Sequence, residues 1–406
     1  MRSVLGDLRG GGYRTVLAAA GASAVGDGVR DAALPLLALA VLRDPVQVAV
    51  VSAANKLPWL LFALPAGAYA DRLDRRRLMV GADLVRSASL AVGAGLLAAG
   101  QLSFASLVAL AFVLGTGGVV FQCASYALVP SMVGKDLLQS ANGWQFGVQT
   151  LGRELLGRTL GGTLFAAGRA IPLLVDAASF GMSALLLSTV AIPRRPPSRR
   201  GRRLLVDIAD GFRFLASDRL LVVLTVAAAL INLVLGGQTA VLVLLAVDEL
   251  HVEPFGYGVL LACGGIGGVV AGAVAGRLVG RIGARAVMVA AVAALGGSGL
   301  ATAVATGLPL AAVAAFVQGA ALMLWNVPSM SARQATVPDV LLGRVIGVHR
   351  LASWGAMPVG AVVLGALTGV AGVRPAYAAG GALLVVLAAA VARPLKAWGR
   401  QSPAAG

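Results

Sequence analysis

The stretch GAYADRLDRRR, residues 67–77, returns in altered form as GAVAGRLVGRIGAR at residues 272–285. Gly67 and Gly272 stand 205 residues apart in a chain of 406. Further outward, Val129-Pro130 has its echo in Val337-Pro338, 208 residues on. Two offsets so close, each about half the chain, mark an internal duplication. Each copy follows a long apolar run and ends in arginines, the pattern of a hydrophobic span reaching the edge of a bilayer.

Composition extends that reading to the whole chain. Hydrophobic residues make up 58% and charged residues 12%, with a mean hydropathy of +0.88. Soluble domains carry about 25% charged residues. Half that charge cannot cover a soluble surface of this size, and the chain is far too apolar for disorder. Apolar runs broken by charge or by Gly/Pro clusters give twelve spans, near 14–41, 46–70, 78–100, 103–127, 143–167, 172–192, 219–247, 256–277, 284–306, 308–329, 343–369 and 374–394. The expected fold is an all-α polytopic membrane protein, with twelve transmembrane helices in two six-helix pseudo-repeats. Such parallel repeats are the build of many secondary transporters, with the substrate site between the halves.

An even span count puts both termini on one side. Loops on that side carry Arg72 and Arg75–Arg77, then the arginines of 194–203, then Arg277, Arg281 and Arg285. The opposite loops hold Arg43, Arg169 and Arg374 against Asp44, Asp248, Glu249 and Glu253. The positive-inside rule therefore predicts both termini in the cytoplasm of a bacterial cell with the protein in its plasma membrane. The same rule accounts for the net charge of +16 without nucleic acid. The domains expected are 1–192 and 219–406, joined by a cytoplasmic linker at 193–218. That linker opens with the basic RRPPSRRGRR and continues as LLVDIADGFRFL, whose period is that of a helix lying at the interface. Cys123 and Cys263 lie inside apolar runs, so neither a disulfide framework nor a metal cluster is expected. No cleavable signal peptide is visible.

Gly67…Asp71-Arg72-Leu73-Asp74-Arg75-Arg76-Arg77 resembles the loop 2–3 signature of the major facilitator superfamily. SANGWQFGVQTLGRELLGRTLGG (140–162) and WNVPSMSARQATVPDVLLGRV (325–345) resemble its enterobactin-exporter-like drug:proton antiporter branch. The resemblance covers most of the chain. It implies two six-helix bundles around a central cavity and export of a small organic compound, a drug, siderophore or natural product. It also implies proton exchange and a gating role for Gly67, Asp71, Arg72, Arg75 and Arg76. One departure is plain: the branch has a Gly-Pro pair in span five, where this chain has Gly157-Arg158.

Ionisable residues inside spans cost a few kcal/mol each and count as functional candidates. Asp27 and Asp31 share a face of span one, with Arg30 beside them. Lys56 in span two has a depth similar to that of Asp31 and is a candidate partner for it. Span five adds Arg153, Glu154 and Arg158. Two carboxylates one turn apart beside bases can share a proton, so Asp27, Asp31 and then Glu154 are the proton-coupling candidates. Arg30, Lys56, Arg153 and Arg158 are their charge partners. Asp83 and Arg86 are expected lower, in the cytoplasmic part of span three, and Asp176 near the outer end of span six. Spans seven to twelve lack carboxylates. Their cavity candidates are Asn232, Gln238, Gln318, Trp325 and Asn326, and His349 is a packing residue first. Gly264, Gly268, Gly272 and Gly276, spaced by four, give span eight a face for close helix contact.

No GxxxxGK[ST] loop, metal-ligand spacing or nucleophile constellation occurs. The expected function is secondary transport without a cofactor, in a monomer whose partners are substrate, protons and lipid. Uptake and a membrane enzyme using Asp27 and Asp31 on a lipid-linked substrate are the alternatives.

Overall fold

The computed structural model describes residues 11–42, 44–133, 138–190 and 204–398. Regular structure among them is helical throughout, and each of the twelve expected spans falls on a helix. The first six are α1 (Gly11–Leu42), α2 (Pro45–Arg72), α3 (Arg75–Ala98), α4 (Phe104–Met132), the pair α5 (Leu138–Thr150) and α6 (Arg158–Ala167), and α7 (Ile171–Thr189). A π-helical segment, Leu151–Gly157, joins α5 to α6. After the amphipathic α8 (Leu204–Ser217) come α9 (Arg219–Leu244), α10 (Pro254–Ile282), α11 (Ala284–Ala303), α12 (Leu308–Thr336), α13 (Asp339–Ala371) and α14 (Val373–Trp398). Among the described residues, nine helices are long and apolar enough to cross a membrane. The basic stretch 194–203 of the linker lies outside the described residues.

The two copies of the opening stretch turn the same corner by different means. In the first, the Asp74 carboxylate accepts hydrogen bonds from the backbone N–H groups of Arg76 and Arg77 at 3.0 and 3.2 Å, capping α3. In the second, Gly283 between α10 and α11 adopts φ +81°, a conformation that glycine alone reaches without strain.

The chain clusters into two compact units. One comprises 1–43, 54–201 and 253–262; the other comprises 44–53, 202–252 and 263–406. The division otherwise falls within the expected linker. Inside the first unit α1 packs on the α5–α6 pair and on α7, while α3 packs on α4 and α7. Inside the second, α9 packs on α13 and α14, while α11 packs on α12 and α14. Matched by order along each half, these are the same four pairings. A shared pairing scheme is what the duplicated sequence predicts.

A large apolar core lies in the second unit. It joins Leu224, Ile231 and Val234 of α9, Met288 and Leu295 of α11, Trp325 of α12 and Leu384 of α14. Trp325 is 1% exposed, so it is a core residue and not a cavity wall. In an apolar run the same aromatic suits either surface, and only the packing decides. Trp325→Ala is expected to cost about 3–5 kcal/mol of stability, read as a fall in Tm of the detergent-solubilised protein. A normal Tm with weakened substrate binding would return Trp325 to the cavity.

α8 docks on α13 through Arg344 Nη1 and Asp210 Oδ2 at 3.1 Å. Beside this pair, a Cβ on Gly211 would stand 2.8 Å from the Arg344 carbonyl oxygen, so the two helices touch at the backbone. Because the ion pair is partly solvated, Asp210→Asn is expected to lower stability by less than about 1 kcal/mol.

Candidate functional site: a charged network in the first unit

The site begins with a close helix crossing. A Cβ on Gly157 would lie 2.7 Å from the Gly28 Cα and overlap the Val25 carbonyl oxygen, while one on Gly161 would lie 2.5 Å from the Val29 carbonyl oxygen. Glycines on both sides thus let α1 and the π segment meet backbone to backbone. A π turn widens the helix by one residue and reorients the side chains it carries. Here it ends at Gly157, just where the branch has its Gly-Pro pair, so the helix is altered locally without proline.

That crossing delivers Arg153 to Asp31. Its Nε and Nη2 both bond to Asp31 Oδ2, at 2.8 and 2.7 Å. Asp31 Oδ1 stands 3.5 Å from Arg30 Nη2. Arg30, 5% exposed, also meets Asp27 Oδ1 at 2.7 Å and Asp176 Oδ2 at 3.8 Å. Asp27 Oδ1 is shared in turn with Arg86 Nη1 at 3.5 Å. Arg86 pairs with Asp83, reaches Ser23 Oγ at 3.4 Å, and lies over the rings of Phe180 and Phe121 at 3.9 and 5.0 Å. Asp83 and Asp176 are wholly buried. Glu154 pairs with Arg158 within the same span. Asp27, Asp31, Asp83 and Asp176 are thus knit together by Arg30, Arg86 and Arg153.

The network joins groups that span position sets apart. Arg86 reaches Asp27 Oδ1 at 3.5 Å, and Arg30 reaches Asp176 Oδ2 at 3.8 Å. α3 starts at Arg75, three residues ahead of the expected 78, because Asp74 caps it there. Arg86 consequently falls at the middle of α3, and its side chain reaches Asp27 at the middle of α1. The spacing Asp83-x-x-Arg86 signalled a local pair, but nothing local showed that the pair joins Asp27.

A cavity of about 80 Å³ opens beside the network, with Asp27, Arg30, Lys56, Trp59, Gln149 and Arg153 among its lining residues. At ~10–15 Å³ per water centre, it has room for several waters. Lys56 lines this cavity but does not pair with Asp31, whose two oxygens are engaged by Arg153 and Arg30. Among the described residues, Lys56 makes no ion pair within 4 Å.

Elsewhere the candidates are more ordinary. The Gln318 side-chain N–H donates to Gln238 Oε1 at 3.0 Å, and the Tyr377 hydroxyl donates to the Gln238 carbonyl at 2.7 Å. Asn232 donates to the Ala228 carbonyl of its own helix, and Asn326 is exposed. His349, 7% exposed, shares a hydrogen bond of 3.0 Å with the Thr225 hydroxyl. In the loop stretch, Arg75 opens α3 and Arg76 donates to the Ser188 carbonyl. The side chains of Asp71 and Arg72, like the surroundings of Gly67, lie outside what is described. Among the described residues no group of His, Cys, Asp and Glu fits a metal ion.

A buried charge network beside a cavity, set in a duplicated all-helical fold, defines a membrane transporter. The chain belongs to the transmembrane secretion effector family of the major facilitator superfamily, which it matches over residues 2–404. It is 28% identical over 380 residues to the multidrug efflux pump Tap of Mycolicibacterium fortuitum, covering 90% of this chain and 91% of that one. It is 27% identical over 392 residues to the uncharacterized MFS-type transporter YfiS of Bacillus subtilis strain 168, covering 93% and 91%. Solved structures share the fold: the nucleoside transporter NupG, with TM-score 0.76 and 13% identity, covers 93% of this chain and 97% of its own. A bacterial homologue of the iron transporter ferroportin, inward-facing, gives TM-score 0.72 at 19% identity, covering 94% and 98%. Family and fold are those of transporters, not enzymes.

Proposed function

We propose that this protein exports a small organic compound in exchange for protons, by alternating access between bundles 1–192 and 219–406, linked by 193–218. The similarity to multidrug efflux pumps supports export and a small-molecule substrate. The asymmetric distribution of loop arginines supports both termini being cytoplasmic, and the bacterial relatives support a bacterial plasma membrane. The working unit is a monomer, and Asp71 gates from the last turn of α2.

One observation carries the proton step: Asp27 faces the cavity while two buried guanidiniums hold it. A proton reaching Asp27 through cavity water cancels the charge that Arg30 and Arg86 share. Arg30 then turns wholly to Asp31 and Asp176, and Arg86 to Asp83. Two arrangements of the same salt bridges give a bistable element that a proton biases. Asp31, bound twice by Arg153, holds the α1 crossing, and Glu154 stands in reserve.

Asp27→Asn is the test, in everted vesicles loaded with a compound to which expression confers resistance. Exchange should persist while proton-driven accumulation is lost. Full accumulation by Asp27→Asn would move the coupling carboxylate to Asp31 or Glu154.

A further inference from the structure

The wall of the cavity in the first unit is unbalanced in charge. Arg30, Lys56, Arg86 and Arg153 line it against a single carboxylate, Asp27. The other acids of the network, Asp31, Asp83 and Asp176, are not on that wall; they lie where the guanidiniums engage them. Lys56 differs from the three arginines, because it is committed to no carboxylate among the described residues. An ammonium at span depth with no carboxylate within 4 Å is costly, and such groups face a cavity or a ligand. Arg153 spends Nε and Nη2 on Asp31, Nη1 has no ion pair among the described residues, and the side chain is 35% exposed. Gln149 adds an amide to the same wall, and Trp59 and Phe121 add aromatic surface.

We propose that this cavity takes the anionic end group of the transported compound, a carboxylate or a group of like size and charge, with Lys56 as its principal ion partner and Arg153 beside it. The proposal rests on the reading of this cavity as a transport site, and it adds the substrate class: an aryl or amphiphilic organic anion or zwitterion. At about 80 Å³ the cavity admits such an end group with part of a ring. Trp59 gives the ring a surface to pack on, which a bare inorganic anion would not use. Lys suits the task because its ammonium is a point charge on a flexible stem, tolerant of different anions, where a guanidinium fork would impose one geometry.

The experiment is a calorimetric titration of the full-length, detergent-solubilised protein with three isosteric probes. These are naphthalene-2-carboxylate, naphthalene-2-carboxamide and 2-naphthylmethylamine, at one pH. The carboxylate is expected to bind at least ten-fold more tightly than the carboxamide, and the amine least of all. Lys56→Gln should weaken the carboxylate about ten-fold and leave the carboxamide unchanged, while Lys56→Arg retains most of the preference. The wild-type series stands on its own should a variant fold poorly. Equal binding of carboxylate and carboxamide, preference for the amine, or no binding by any probe overturns the proposal. Binding needs no gradient, so such a failure leaves the export reading standing. Failure of export itself would appear separately, as unchanged drug accumulation in cells expressing the protein.

Discussion

Gly157→Ala is expected to abolish transport and to lower stability by about 3 kcal/mol, and Gly157→Leu to prevent folding. A first Cβ at this position meets the Val25 carbonyl oxygen and the Gly28 Cα, both backbone atoms that cannot rotate away. Relief requires the π segment to withdraw from α1, which takes Arg153 from Asp31. Overpacking a filled contact costs about 1–3 kcal/mol, and loss of the ion pair adds to it. The control lies on the same span: a Cβ on Gly147 meets nothing within 4 Å. Gly147→Ala should therefore raise helix stability by up to about 1 kcal/mol with transport intact. Tm in detergent and drug accumulation in cells read both variants. A Gly157→Ala protein with normal Tm and normal transport would show that α1 and the π segment need not touch.

Arg86→Met is expected to destabilise the protein by about 3–5 kcal/mol, because it leaves Asp83 buried and unpaired. It also removes a guanidinium from Asp27 and from the faces of Phe121 and Phe180. Asp83→Asn in the same chain should recover much of the loss, since a neutral amide tolerates the site better than an isolated carboxylate. Urea or thermal unfolding of the two single variants and the double variant gives the coupling directly. Additive losses in the double variant would mean that Asp83 and Arg86 do not depend on each other.

Much of this architecture is legible in residue order, for a physical reason. A bilayer demands about 20 apolar residues per crossing, and charge marks each end, so spans and linker stand out without any contact being known. Helix ends are less legible: Asp74 moves the start of α3 by a capping interaction that hydropathy does not weigh. The site divides similarly. Asp27, Arg30 and Asp31 are visible because helical spacing brings them to one face, and Glu154 and Arg158 for the same reason. The junctions between helices are not visible. Arg153 meets Asp31 only because glycines permit the crossing, and the π turn has no local signature. Asp83, Arg86 and Asp176 seemed peripheral because depth was counted from span ends, whereas long arginine side chains bridge several ångströms. Lys56 fails to meet Asp31 for the converse reason: similar depth does not guarantee a partner already taken by two arginines.

The central claim is that the protonation of Asp27 drives export. Its most direct measurement is the proton flux itself, in proteoliposomes with a trapped pH-sensitive dye, on addition of a compound to which expression confers resistance. The account predicts that the compound releases protons from acid-loaded vesicles containing the wild-type protein, and releases none with Asp27→Asn. Transport of the compound by wild-type protein with no accompanying proton movement would contradict it.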